Sequence, residues 1–331
     1  MTQTKLAQMT GTSVATVSKA FAGSREISDE TREKIFALAK EVGCFDKYYK
    51  APRKRPMIAL LIPEPESEFY GREIGLIENA LNSRGADTVI GFTRFDPERE
   101  ARLFREFAYG LKVDGMILWG QGKLIKNPDK LPLLLLTSAN KATCNADVVK
   151  HDISEAMISL VEILKKYGHR QVGFIGEGLT QSKETLLKNA LRKAGLPVFN
   201  EYFVRSKLRF AQAGEDGMMQ LIERDAVPQV IVAAYDQIAY GAIKCAEAKG
   251  YKIPDDISFV GIDDISANQF MGASLSSLYL DLESVCPDIV DLIFKKLENR
   301  HLCGECICVP AKVNVRQSLG KAKKKELSQV P

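Results

Sequence analysis

The sequence predicts an α/β fold: a two-lobed body of two parallel sheets with helices on both faces, preceded by a small all-α helix-turn-helix headpiece. Three observations predict it. Residues 1–43 carry three short helical patterns, short apolar runs alternate with helical patterns from Met57 onward, and that alternation begins afresh at Ile153. Strands alternating with helices of this length form parallel sheets covered on both faces. A chain of 331 residues suits a headpiece followed by two lobes.

The headpiece comes first. Leu6, Ala7 and Met9 give one apolar face, and Gly11 ends the helix because glycine accepts the positive φ of a tight turn. Thr12 and Ser13 make that turn, and Ser13 can cap a second helix carrying Val14, Val17, Ala20 and Phe21. Ser28 opens a third helix, with Asp29 and Glu30 where the helix dipole favours acids. Three short helices packed together leave the second free to enter a DNA major groove. Its outward face should present Val14, Ala15, Thr16, Ser18 and Lys19, with Val17 turned inward. Hydroxyls can serve base edges or phosphates, and Val or Ala can meet a thymine methyl. Thr2, Ser13 and Arg25 are candidates for phosphate contacts.

Residues 44–56 read as a basic linker, extended because Pro52 and Pro56 resist helix continuation. Arg53, Lys54 and Arg55 can track phosphates or enter a narrow A·T-rich minor groove. Through Pro56 there are eleven Lys/Arg against six Asp/Glu, which accounts for about the whole net charge of +4. The basic end argues against a plain three-helix bundle and for a surface that meets a phosphate backbone.

The body spans residues 57–320. Met57–Ile62 is a short apolar run, followed by a helix from Phe69 to Arg84, the strand DTVIGF, a helix near Glu98 to Tyr109, and the strands DGMILW, LPLLLLT and ADVV. From Ile153 the reading is a helix to Tyr167, the strand QVGFI, a helix to Ala194, a helix near Gly214 to Arg224, the strand QVIVA, a helix from Asp236 to Lys249 and the strand ISFVGI. The two sets meet near Lys150 and imply two lobes with a cleft between them. Residues 321–331 read as a polar, basic, disordered tail.

No apolar run is long enough for a transmembrane helix, the first residues show no signal-peptide stretch, and seven irregularly spaced cysteines argue for reduced thiols. A cytoplasmic protein without membrane association is expected.

The strings GTSVATVSKAFAG and ISDETREKIFALAKEVG resemble the DNA-binding headpiece of the LacI/GalR (lactose-repressor) family of bacterial transcription regulators. VDGMIL, LKKYGHRQVGFIG, ALRKAGL, the stretch from Tyr235 to Ile265, and VNVRQS resemble its periplasmic-binding-protein-like sensor domain. The resemblance implies three lobe crossings, near Lys150, Leu280 and Glu305. It also implies a dimer on a near-palindromic operator and a small-molecule effector, a sugar or another metabolite. The linker departs from the family: Cys44-Phe45-Asp46 replaces a Tyr-x-Pro-Asn step, the stretch from Gly43 to Ile58 is shorter, and no Leu stands between Val42 and Leu60 to wedge into the minor groove.

Ligands sit at the carboxyl ends of parallel strands. Residues there are Phe69 and Tyr70, Trp119, Asp236 and Asp263, aromatics that stack on a ring and carboxylates that accept hydroxyl hydrogens. By the resemblance, Lys183 takes the place of the family's effector-binding Arg, and Tyr235 stands where many members have Asn. Each also has a structural reading; Asp236 can simply cap its helix, and Asp264 is left for the local turn. His301, Cys303, Cys306 and Cys308 offer soft ligands, yet a compact cluster rarely closes a tetrahedron, and Cys306 and Cys308 alternate with Ile307 as on a half-buried strand. No metal or cofactor is assigned, and His151 and His169 read as structural or surface residues. The alternative is an α/β enzyme or a cytoplasmic small-molecule-binding protein using the same cleft; the enzyme would need a nucleophile–base pair that no strand end carries.

Overall fold

The structure, a computed structural model, describes the chain except residues 25, 50–54, 129, 139–143, 300–303 and 324–331. It divides into two compact units, Met1–Met57 and Ile58–Pro331.

In the first unit α1 (Gln3–Thr10) ends at Gly11, which adopts φ +68, and α2 (Val14–Phe21) starts at the Ser13 cap, whose hydroxyl accepts from the Thr16 amide. Ser28 likewise caps α3 (Asp29–Glu41). Leu6, Val17, Ala20, Ile35 and Ala39 are fully buried between them. Met9 is half exposed, contrary to the expected apolar face. Thr10 takes the inner place, its hydroxyl satisfied by the Leu6 carbonyl at 2.7 Å, so a polar residue is buried without loss.

The segment expected to be extended from residue 44 is helical at its start. Cys44 is buried, and α4 (Phe45–Tyr48) lays Phe45, Tyr48 and the following Tyr49 on Phe21 and Phe36, with ring centroids 5.0–6.2 Å apart. Aromatic burial overrides the linker composition here.

The second unit holds two lobes. Chain order in the first is β1 (Met57–Ile62), α5 (Glu68–Ser83), β2 (Asp87–Phe92), α6 (Pro97–Arg105) continued by a π-helical stretch Glu106–Leu111, β3 (Gly115–Trp119), β4 (Leu133–Thr137) and β5 (Asp147–His151). The chain then enters the second lobe with α7 (Ser154–Lys166), β6 (Val172–Glu177), α8 (Gln181–Lys193), β7 (Phe203–Ser206), α9 (Phe210–Glu223), β8 (Val230–Ala233), α10 (Asp236–Ala248), β9 (Ser258–Ile262) and β10 (Ser276–Leu280). It returns with α11 (Leu282–Glu298) and β11 (Cys306–Val309), and ends with β12 (Ala311–Asn314).

Among the described residues one sheet has the order β11-β5-β4-β3-β1-β2 and the other β12-β10-β9-β8-β6-β7. From β11 through β1 and from β10 through β7 the strands pair in parallel, whereas β10 pairs with β12 antiparallel. Central strands such as β3, β4 and β9 are buried along their whole length, as helices on both faces require. The third lobe crossing falls at Pro310 rather than Glu305, because β11 stays paired with β5 from Cys306↔Val148 to Val309↔His151.

The tail is anchored at its start: the Ala322 amide donates to the Tyr167 carbonyl, and Lys323 pairs with Asp256 at 3.0 Å. The expected disorder from residue 321 is therefore contradicted as far as Lys323.

Candidate functional site

In the headpiece, α2 presents Val14, Ala15, Ser18 and Lys19 to solvent, with Thr16 half-buried and Val17 in the core. Thr16 shares its hydroxyl hydrogen bond with Ser13 Oγ at 2.9 Å, so both side chains are fixed before any partner arrives. Lys19 pairs with Glu26, both largely exposed, a contact weak enough to be exchanged for a phosphate. Thr2 caps α1 by accepting from the Lys5 amide. Arg55 lies half-buried in a bend, and Arg25, Arg53 and Lys54 lie outside the described residues.

In the second unit a cavity of about 1000 Å³ opens between the lobes where the strands end. Phe69, Tyr70, Trp119, Lys183, Tyr235 and Asp263 all line it. Asp263 follows β9 with φ +105, a conformation costly for a residue with a Cβ, and its amide donates to the Leu278 carbonyl at 2.7 Å. Burial raises the pKa of its carboxyl, opposed by Lys183 at 3.5 Å. Lys183, at the start of α8, donates to the Ala234 carbonyl at 2.8 Å and lies over the Tyr235 ring. Tyr235 accepts from the Phe210 amide at 3.2 Å. Burial pushes the hydroxyls of Tyr70 and Tyr235 up, so both remain donors at neutral pH.

Asp236 does not line the cavity. It is 1% exposed and accepts from Ser277 Oγ, the Ile265 amide and the Asn268 amide group at 2.6–2.9 Å, tying α10 to the loop after β9. Burial, helped by the charge of Asp263, pushes its pKa up to about 8. Its place after a strand end made it a candidate; its hydrogen-bond partners make it a structural post. Asp264 is held by Arg316 through two hydrogen bonds at 2.6 and 2.9 Å.

Trp119 faces the cavity yet is only 4% exposed, with its indole N–H donated to Glu73. Glu73 and His151 form a buried pair on this wall, 3.6 Å apart, and Phe69 meets His151 edge-on. Burial holds both neutral, raising Glu73 to about 8 and lowering His151 to about 4. His151 is thus part of the cleft wall, whereas His169 is structural, bonded to the Gly320 carbonyl at 2.9 Å.

Sequence reading missed the strongest polar group in the cleft. Arg209, just before α9, grips Glu64 at 2.5 and 3.0 Å and Glu177 at 3.1 Å. Both carboxylates are nearly inaccessible. Lys150, also on the wall, pairs with Asp152 at 2.7 Å and holds that carboxyl at about 2.

Cys306 and Cys308 are exposed on β11, with Ile307 packed inward; His301 and Cys303 lie outside the described residues. Among the described residues, no three metal-ligating side chains come together.

Residues 161–319 match a periplasmic binding protein-like domain. The chain is 25% identical to the HTH-type transcriptional regulator DegA of Bacillus subtilis over 330 residues, covering 95% of this chain and 96% of that one. It is also 25% identical to the HTH-type transcriptional repressor CytR of Escherichia coli over 305 residues, 88% of each. In fold it is similar to the lac repressor dimer bound to operator and an anti-inducer, with a TM-score of 0.68 and 19% identity over 96% of this chain and 98% of that one. A capped helix-turn-helix, two lobes crossed three times and relatives matched almost end to end agree: this chain is similar, over nearly its whole length, to transcription regulators such as DegA and CytR.

Proposed function

We propose that this protein is a ligand-responsive, sequence-specific DNA-binding transcription regulator, acting as a repressor in the cytoplasm. The observation that carries the reading is α2, whose apolar side is sealed in a closed core while Val14, Ala15, Ser18 and Lys19 face outward beside the fixed Thr16 hydroxyl. An element so anchored is available to a major groove. Thr2, Ser13 and the basic residues around Arg55, together with Arg25, Arg53 and Lys54, are proposed to hold phosphates. Two headpieces on one near-palindromic operator require a homodimer.

The inter-lobe cleft is proposed to bind the effector. Phe69, Tyr70, Phe210 and Tyr235 supply ring faces and Asp263 a buried acceptor. The cleft's cations are committed: Lys150 to Asp152, Lys183 to Asp263 and the Ala234 carbonyl, and Arg209 to Glu64 and Glu177. This favours a neutral or cationic ligand that presents hydroxyl or amino donors, such as a sugar, over a phosphate ester. Effector binding would bias lobe closure and change operator affinity by about 1–3 kcal/mol.

Selection of bound sequences from random duplexes by the purified protein should enrich a near-palindrome; a thermal-shift screen of sugars, nucleosides and amines should then find a stabilising ligand that alters binding to it. Binding without sequence enrichment would overturn the regulator reading, and a ligand that is turned over would favour an enzyme.

A further inference from the structure

The two lobes are bridged by one side chain in a way that positions it to control closure. Glu64 follows β1 in the first lobe; Arg209 and Glu177 belong to the second. The Arg209 guanidinium meets both Glu64 oxygens with two nitrogens, and its Nε reaches Glu177. Its face stacks on Phe210 of its own lobe at 4.6 Å and on Phe95 of the first lobe at 5.6 Å. One residue thus makes a forked ion pair and a ring contact across the cleft. The Arg209 side chain is 38% exposed, but the carboxylates it holds are not: Glu64 is 4% and Glu177 2% exposed, so water competes for only one side of the pair. Pulling the lobes apart breaks the forked, charge-assisted pair between Arg209 and Glu64, which exists only in the closed form.

We propose that Arg209 is an inter-lobe latch: its fork onto Glu64 holds the cleft closed by the protein's own side chains, with Glu177 orienting the guanidinium from within the second lobe. Lysine has no such fork. The set point between open and closed lobes is then built into the chain, and any ligand acts by adding to it or working against it.

A second lobe–lobe contact, made by other residues, reports on the latch. Ser266 of the second lobe donates its amide and hydroxyl to Glu68 of the first, at 3.0 and 2.7 Å. Hydrogen exchange of the purified full chain, with no ligand added, should be followed in the peptide covering residues 262–270. With the open form below about 10% in the wild type, Glu64→Gln should speed exchange there about three- to tenfold. The buried strands β3 and β9 should keep their wild-type protection. Arg209→Lys should act like Glu64→Gln, because it retains the charge and loses the fork. Glu177→Gln, which keeps an oxygen acceptor for the Arg209 Nε within its own lobe and leaves the fork onto Glu64 in place, should leave the peptide near its wild-type rate. If Glu64→Gln loosens β9 as well, Arg209→Lys decides. Wild-type exchange at 262–270 in the folded variants, or equal acceleration by Glu177→Gln, would overturn the latch.

Discussion

Glu73 is a buried carboxyl that accepts from the Trp119 indole through one oxygen while the other is left without a hydrogen bond, and its energetics follow from that isolation. Burial raises it to about 8, against an ordinary value of 4.5. Between those values the folded chain holds a proton that the unfolded chain has lost, so stability falls as pH rises through the window. His151 has the opposite sign: burial lowers it to about 4 from 6.5, so stability rises with pH until 6.5 and then stops changing on its account. Above 6.5 the raised acids Glu73 and Asp236, both pushed to about 8, act in the same direction. Glu73→Gln keeps an acceptor for Trp119 and removes one titration. Its urea midpoint should fall less than that of the wild type between pH 6.5 and 8; parallel falls would show that Glu73 ionises without cost. Asp263 belongs to the same scale with a different role. A buried hydrogen bond to a charged group contributes roughly 1.5–3 kcal/mol. Asp263→Ala should therefore weaken effector binding about ten- to a hundredfold. Operator affinity without effector should stay near wild type, and unchanged effector affinity in calorimetry would remove Asp263 from the site.

Among the elements, α9 and α10 are packed to the limit. A Cβ on Gly214 would come 1.9 Å from the Ile238 carbonyl oxygen, and one on Gly241 would come 1.8 Å from that of Ala211. Each approach is onto backbone, so no side chain can swing away. Gly214→Ala should cost about 1–3 kcal/mol or more in urea unfolding of the second unit, since overpacking forces the helices apart. A loss below about 0.5 kcal/mol would mean the pair slides freely. The same scale shows what the sequence reveals. Elements with long apolar patterns, such as β1, β9 and α10, are legible because burial on both faces writes continuous hydrophobic runs. β7 is not, being four residues with burial alternating along them, and α11 carries Pro287 inside an otherwise helical run. The cap at Ser13 is local and readable, whereas α4 is set by contacts of Phe45 and Tyr49 with Phe21 and Phe36 that composition hides beneath a basic linker. In the cleft, Asp263 announces itself at a strand end, but Arg209 and Glu64 stand 145 residues apart and only the topology joins them.

At the scale of the whole molecule, the division of labour between the units can be tested by cutting it. Residues 1–57 hold a core of their own, with Leu6, Val17 and Ile35 fully buried and the Phe21, Phe36, Phe45 and Tyr49 rings packed against it. That fragment should fold and melt cooperatively by circular dichroism. It should still prefer the selected operator, because α2 and its Ser13 cap are intact. What it should lose is avidity. In the proposed homodimer, two headpieces linked through the second unit would gain an effective concentration that raises affinity about 10²- to 10⁴-fold over one alone. Each headpiece releases its own share of counterions, so the slope of log affinity against log salt should drop by about half in the fragment. Mobility-shift titrations at two salt concentrations measure both quantities. A folded fragment that binds as tightly as the full chain, with the same slope, would show that one headpiece suffices and that the second unit contributes no dimeric grip on the operator.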